Sequence, residues 1–329
     1  VVFHFRLLFP PTTPQILQTI AAQGYIAVDL FFVLSGFVIT LNYGAWFARP
    51  SRQHYVKFLA LRLARIYPLH AVMLLLYLLT AIILALLSRH PTLGPDYNPT
   101  YFLLSVFLLQ NWGFTNDTAW NVPAWSISTE WFAYLIFPLL AVALPALTAT
   151  PRRALLSAAA LAATLALGMA ATGLTLRDAI PHGGLFRCVT EFALGGCALR
   201  LHQATTTHAT AAAAIAAACF TATVVFHLPD YALCPFGFAA LIVALASAPQ
   251  TQAAGFFEWL GEISYSTYLA HYLIKVWIKL VLVRPGIPLS LALAAYLVTV
   301  LAASIVLYRC VELPGRTFLR RRLKKSVLF

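Results

Sequence analysis

Few side chains in this sequence can do chemistry, and they lie far apart along it. The ionisable candidates inside apolar stretches include His4, Asp29, Glu130, Arg187, Glu191, His271, Lys275 and Lys279. Such groups are costly at membrane depth, so each marks a functional candidate. His4 lies six residues before Pro10, and Asp29 lies five residues after Gly24. At 1.5 Å per helical residue, both fall roughly 8–9 Å below the ends of their helices. Helices joined by a short loop are normally neighbours. An imidazole and a carboxylate at one depth can pair, which fixes the ring's tautomer and raises its basicity, making a general base. The same pair could instead be a polar contact between helices.

A second cluster lies in HYVKFLALRLARIYP. Lys57, Arg62 and Arg65 fall at about 0°, 140° and 80° on a helical projection, so the three cations share one face. Arg62 and Arg65 at i, i+3 form a two-armed clamp for a phosphate. A stop-transfer cluster attracting anionic lipid has the same spacing. In WSISTEWFAYLIFP, Ser126, Ser128 and Glu130 occupy the first turns of a helix. A carboxylate is favoured at that positive end, and Glu130 there can meet a polar substrate or simply the membrane surface. In GEISYSTYLAHYLIKV, Ser264, Thr267 and His271 line one face beside Tyr268. That face fits a substrate channel or a hydrogen-bonded structural histidine.

The elements that must position these groups follow from composition. The chain has 329 residues, of which 61% are hydrophobic and 10% charged, with a mean hydropathy of +0.82. Soluble domains carry about 25% charged residues. A soluble enzyme, a disordered chain, a coiled coil and a disulfide scaffold are therefore excluded. The fold class is all-α: a polytopic integral membrane helical bundle of about ten transmembrane helices. The apolar runs are Val1–Phe9, Tyr25–Tyr43, Ile66–Leu87, Trp125–Leu147, Ala154–Leu174, Leu185–Leu201, Thr210–His227, Tyr231–Ala248, Ile263–Val283 and Leu289–Tyr308. Tyr101–Trp112 is a short partial segment that protein contacts must support. Residues 1–314 form one transmembrane domain, and 315–329 a basic cytoplasmic tail. The chain starts at Val1 inside an apolar run, so the first helix reads as N-terminally truncated.

The net charge of +12 comes from 22 Lys and Arg against 10 Asp and Glu. With a cytoplasmic N-terminus, fifteen basic residues fall on the cytoplasmic side: Arg49, Arg52, Lys57, Arg62, Arg65, Arg152, Arg153, Arg200, Arg309, Arg316, Arg320, Arg321, Arg322, Lys324 and Lys325. Five fall opposite: Arg6, Arg89, Arg177, Arg187 and Arg284. This is the positive-inside pattern, with both termini cytoplasmic. The charge thus reports topology and membrane-lipid contact, and nucleic acid is not a partner. The five cysteines have no metal spacing, and no metal site is expected.

Five strings occur in order: VVFHF, GYIAVDLFFVLSGFVIT, RLARIYPLH, WSISTEWFAYLIFP and GEISYSTYLAHYLI. In order and spacing they resemble the membrane-bound acyltransferase 3 family, which includes bacterial O-acetyltransferases. The resemblance runs from Val1 to about Glu312. It implies a bacterial inner-membrane enzyme that moves an acyl group, by default acetyl, from cytoplasmic acyl-CoA. The acceptor is a hydroxyl of a glycan, a glycolipid or another small molecule. Acyl-CoA is a co-substrate, and no cofactor is permanently bound. The family's first-helix histidine matches His4, and its Arg-x-x-Arg motif matches Arg62 and Arg65. Its FFVLSG string matches Phe31–Gly36, which brings Ser35 and Gly36 to the donor path, where Gly36 admits a close approach. His4, oriented by Asp29, then acts as general base or as an acyl-histidine relay. Glu130 joins the catalytic set, and Lys57 joins the acyl-CoA site. Ser126, Ser264, Tyr268 and His271 line the channel or the acceptor site. A proton-coupled secondary transporter is the alternative; it would show paired repeats, and none is visible.

Overall fold

The computed structural model describes residues 1–10, 12–87, 95–204, 209–249, 254–283 and 287–325. Arg89 and Arg284, which bear on orientation, lie outside the described residues. Thirteen α-helices and no strand occur among the described residues. They are α1 (Val2–Phe5), α2 (Gln15–Ala22), α3 (Ala27–Tyr43), α4 (Arg52–Leu87), α5 (Pro99–Val106), α6 (Trp125–Leu147) and α7 (Pro151–Thr172). The rest are α8 (Gly184–Ala204), α9 (Ala209–Val225), α10 (Asp230–Ser247), α11 (Ala254–Leu282), α12 (Leu289–Leu307) and α13 (Leu313–Lys325). Six stretches of the described residues are long and apolar enough to cross a membrane: Gln15–Phe47, Arg52–Leu87, Val122–Leu147, Pro151–Thr172, Asp230–Ser247 and Leu289–Leu323. Helices α8 and α11, of 21 and 29 residues, are long enough but carry many of the polar candidates.

Three predicted elements differ from expectation. The basic stretch before Pro68 and the span after it form one helix of 36 residues, α4, with Pro68 inside it. Its outward stripe of Leu75, Leu79, Ile82, Ile83 and Leu86 is exposed, as suits a lipid-facing surface. The Tyr101–Trp112 segment is helical only through Val106. The backbone leaves the helix at Leu108, where φ is +60°. Beyond Leu108 the chain is irregular yet held at depth by hydrogen bonds to α6: Ser128 Oγ donates to the Leu108 carbonyl (2.7 Å), and the Trp112 indole N–H donates to the Ser128 carbonyl (3.1 Å). The stretch predicted as a basic tail is helical as far as Lys325, and α13 packs back on α4.

The bundle is organised around the crossing of α3 with α8, the most extensive contact of either helix. Small residues make it close. A Cβ on Gly36 would collide with the Phe192 carbonyl, and one on Gly195 with the Val33 carbonyl. Backbones this near are typical of membrane helix pairs, where dispersion replaces the hydrophobic drive. Around the crossing, one core joins Phe32, Phe58, Met73, Phe137, Phe192 and Leu269, from α3, α4, α6, α8 and α11.

Candidate active site

A cavity of about 450 Å³ runs between α1, α3, α4, α6 and α11. Helix α3 serves as its ruler, because cavity-lining residues run along it from Ala27 to Ile39, about 18 Å at 1.5 Å per residue. At the start of this ruler, Gly24 lies against Phe3, the neighbour of His4. Beyond its end, the Tyr43 hydroxyl meets Arg62. Arg62, Arg65, Ser35, Glu130, Ser264, Tyr268, His271 and His4 all contribute to the wall. Helix α11 contributes Ser264, Tyr265, Tyr268 and His271, whose i, i+1, i+4, i+7 spacing puts them on one face.

The predicted catalytic trio of His4, Asp29 and Glu130 does not assemble. Asp29 turns away from His4, and both its oxygens are taken by Arg187, from Nε and from an Nη, at 2.7 Å each. Arg187 also donates to the Leu176 carbonyl at 2.6 Å. Asp29 and Arg187 are 0% and 1% exposed, so each depends on the other for its charge to be tolerated. Glu191, one turn further along α8, is buried beside them. Equal helical depth and a short connecting loop are the basis for pairing Asp29 with His4, and neither carries information about azimuth.

His4 instead meets His271. Its Nδ1 lies 2.8 Å from His271 Nε2. His271 Nδ1 lies 2.7 Å from the Tyr268 carbonyl and 3.2 Å from the Thr267 carbonyl. The His4 ring is wedged edge-on by Tyr272, with centroids 5.1 Å apart. Tyr268, behind His271, is fixed by a 2.7 Å hydrogen bond with Ser126 and a 2.8 Å bond to the Pro123 carbonyl. Ser126 thus braces the channel wall from behind, while Ser264 and Tyr268 line it. Thr267 turns instead to Ser304, 2.8 Å away on α12.

The opposite end is ionic. Arg62 donates to the Tyr43 hydroxyl at 2.5 Å and lies over that ring at 4.7 Å. Its Nε has no protein partner among the described residues. Arg65 is ion-paired with Glu312 and lies over the Tyr265 ring. Ser266 donates to the other oxygen of Glu312 at 2.7 Å. Glu130 accepts from Ser35 and from Tyr134, both at 2.5 Å. It is thereby tied to the wall between the two ends rather than to His4. Tyr265 sits under Arg65, and His271 is six residues along the same helix, about 9 Å. The arginine end therefore reaches closer to the histidines than bilayer thickness alone suggests.

Two proposed donor-site residues do not reach the cavity. Gly36 faces α8 and makes the close crossing with it. Lys57 lies 5.7 Å over the Trp46 ring and does not line the cavity. Sequence reasoning missed Glu312, Tyr43 and Tyr134. Glu312 had a usable signal, an acid four residues after the last apolar run and among cations. The two tyrosines had none. Among the described residues, no group of three or more His, Cys, Asp or Glu side chains could hold a metal ion.

A helical bundle with stretches long and apolar enough to cross a membrane, hollowed from an arginine pair to a histidine pair, defines a class: a membrane protein with a polar-ended cavity inside its helix bundle. The chain belongs to the acyltransferase domain family, whose model matches residues 1–309. A stretch of 122 residues is 38% identical to acyltransferase MdmB of Streptomyces mycarofaciens and covers 36% of this chain and 29% of that protein. The match thus spans less than a third of the relative's length. No solved structure matches.

Proposed function

We propose that the protein transfers an acyl group, acetyl by default, from cytoplasmic acyl-CoA to a hydroxyl of a glycan, glycolipid or other small acceptor. The observation that carries this reading is the continuous cavity with guanidinium groups at one end and an imidazole at the other. CoA is a polyanion, and Arg62 keeps an unpartnered donor in the cavity wall. Arginine forks suit phosphate. The pantetheine arm then follows α3 past Ser35, with Glu130 and Tyr134 holding that hydroxyl in place. The acceptor enters at the His4 end. His4 takes the hydroxyl proton as the oxygen attacks the thioester carbonyl. The new C–O bond forms, the C–S bond breaks, and the thiolate leaves with the proton that His4 returns.

This reading places the protein in a bacterial inner membrane, crossing it about ten times with both termini cytoplasmic. The six apolar stretches are joined in that count by shorter or more polar helices such as α8, α9 and α11. The test is thiol release from acetyl-CoA by the purified protein in lipid nanodiscs, with a detergent extract of the source cell's envelope as acceptor. The parent releases thiol and acylates a component of the extract. Equal release by His4→Ala would sink the assignment of His4. Acyl analysis of envelope glycans and lipids from cells with and without the gene then identifies the acceptor.

A further inference from the structure

We infer that His271 is the positioning residue for His4, and that the lone pair which accepts the substrate proton sits on His4 Nε2. The inference rests on the acyltransferase reading and deepens it. It follows from hydrogen-bond polarity. Carbonyl oxygens only accept. His271 Nδ1 lies 2.7 Å from the Tyr268 carbonyl and 3.2 Å from that of Thr267, so this nitrogen carries a hydrogen. No carboxylate contacts either ring among the described residues. Lys275, one turn along α11, lies over the Tyr272 ring, which itself abuts His4. With a cation nearby and no anion, His271 is held neutral. A neutral imidazole with hydrogen on Nδ1 has its lone pair on Nε2. At 2.8 Å from His4 Nδ1, that lone pair must accept, so the hydrogen in this bond belongs to His4 Nδ1. The lone pair of His4 is thereby left on Nε2, on a ring lining the cavity.

The chain Tyr268 carbonyl, His271, His4 thus does the work expected of the carboxylate of Asp29. It sets the tautomer and locks the ring, and the edge contact of Tyr272 removes the remaining rotation. It differs from an Asp–His pair in one chemical respect. When His4 takes a proton, the charge is stabilised by a second imidazole and a backbone carbonyl, with no buried counter-charge. Both rings are neutral before and after each turnover, which leaves no uncompensated charge beside the buried His271 ring.

The test is nitrogen NMR on the full chain in nanodiscs, labelled with ¹⁵N-histidine. His4 should be in the Nδ1–H form, with a through-hydrogen-bond coupling between His4 Nδ1 and His271 Nε2. His271→Gln keeps an accepting oxygen and should preserve the His4 tautomer. His271→Leu removes it and should shift His4 toward the Nε2–H form. In the acetyl-CoA thiol-release assay, His271→Leu should lower kcat by about 10²-fold with the KM for acetyl-CoA unchanged, because a base in the wrong tautomer cannot accept. His271→Gln should recover much of that loss. Finding His4 as the Nε2–H form in the parent, or equal losses in the two variants, would overturn the proposal. The tautomer is read without any acyl transfer. A parent with the expected tautomer but no thiol release refutes the transferase reading, and with it the role of base, and leaves only the tautomer assignment standing.

Discussion

At the His4 end of the cavity, two imidazole rings meet through one directional hydrogen bond of 2.8 Å. At the other end, charges meet charges: Arg65 with Glu312, and Arg62 with the electron-rich ring and hydroxyl of Tyr43. On the proposed reading, the two ends serve different tasks. A base needs one lone pair in one place, so its partners are few and rigid. A polyanion site needs cations whose present partners can be exchanged. Accordingly Glu130 and Ser35 are anchored in the wall, whereas Arg62 retains an unused donor. A third region, the Asp29–Arg187 pair, is as ionic as the arginine end, but its charges satisfy each other: Arg187 edges the cavity, yet both carboxylate oxygens of Asp29 are taken and the two side chains are almost fully buried.

The sharpest way to break this division is at His4. His4→Ala should lower acyl transfer by about 10²- to 10⁴-fold while acetyl-CoA binding, measured by calorimetry, is retained. Loss of binding as well would merge the two ends into one. Asp29→Ala should act on stability: it leaves Arg187 charged and buried, at a cost of about 3–5 kcal/mol, seen as a lower Tm. If Asp29 oriented His4, the variant would instead keep its Tm and lose activity. At the arginine end, Arg62→Ala should weaken acetyl-CoA binding by about 10- to 100-fold, the range of charge-assisted hydrogen bonds. Added salt should shrink the difference from the parent. The smallest effect separates cavity from crossing. Gly36→Ala should cost about 1–3 kcal/mol through overpacking on Phe192. Protein that still folds should bind acetyl-CoA as the parent does, because Gly36 does not line the cavity.

Much of the fold was legible because bilayer helices declare themselves by apolar length. The predicted run Trp125–Leu147 coincides with α6, and Leu289–Tyr308 ends one residue beyond α12. Elements that depend on neighbours were harder to read. The partial segment leaves its helix at Leu108 because α6 offers Ser128 and its backbone as partners, which no local pattern announces. In the site, residue types were legible and pairings were not. His4, Asp29, Glu130, Arg187 and His271 all stood out as ionisable groups in apolar runs. Depth and adjacency along the chain were the coordinates available for pairing them, and they matched Asp29 to His4.

Residue content by itself determined that this chain is an all-helical bundle with stretches long and apolar enough to cross a membrane, and it narrowed the ionisable candidates inside those stretches to a few positions. Those conclusions rest on transfer free energy, which each residue carries wherever it sits. Which group serves which was decided by tertiary structure alone. His4 and His271 are 267 positions apart, and Asp29 and Arg187 are 158 apart. Their contacts depend on how far each helix is rotated about its axis, and the close crossing of α3 with α8 sets that rotation for both helices. It turns Asp29 into the protein toward Arg187, and it leaves the His4 ring to the carbonyl-anchored imidazole of α11.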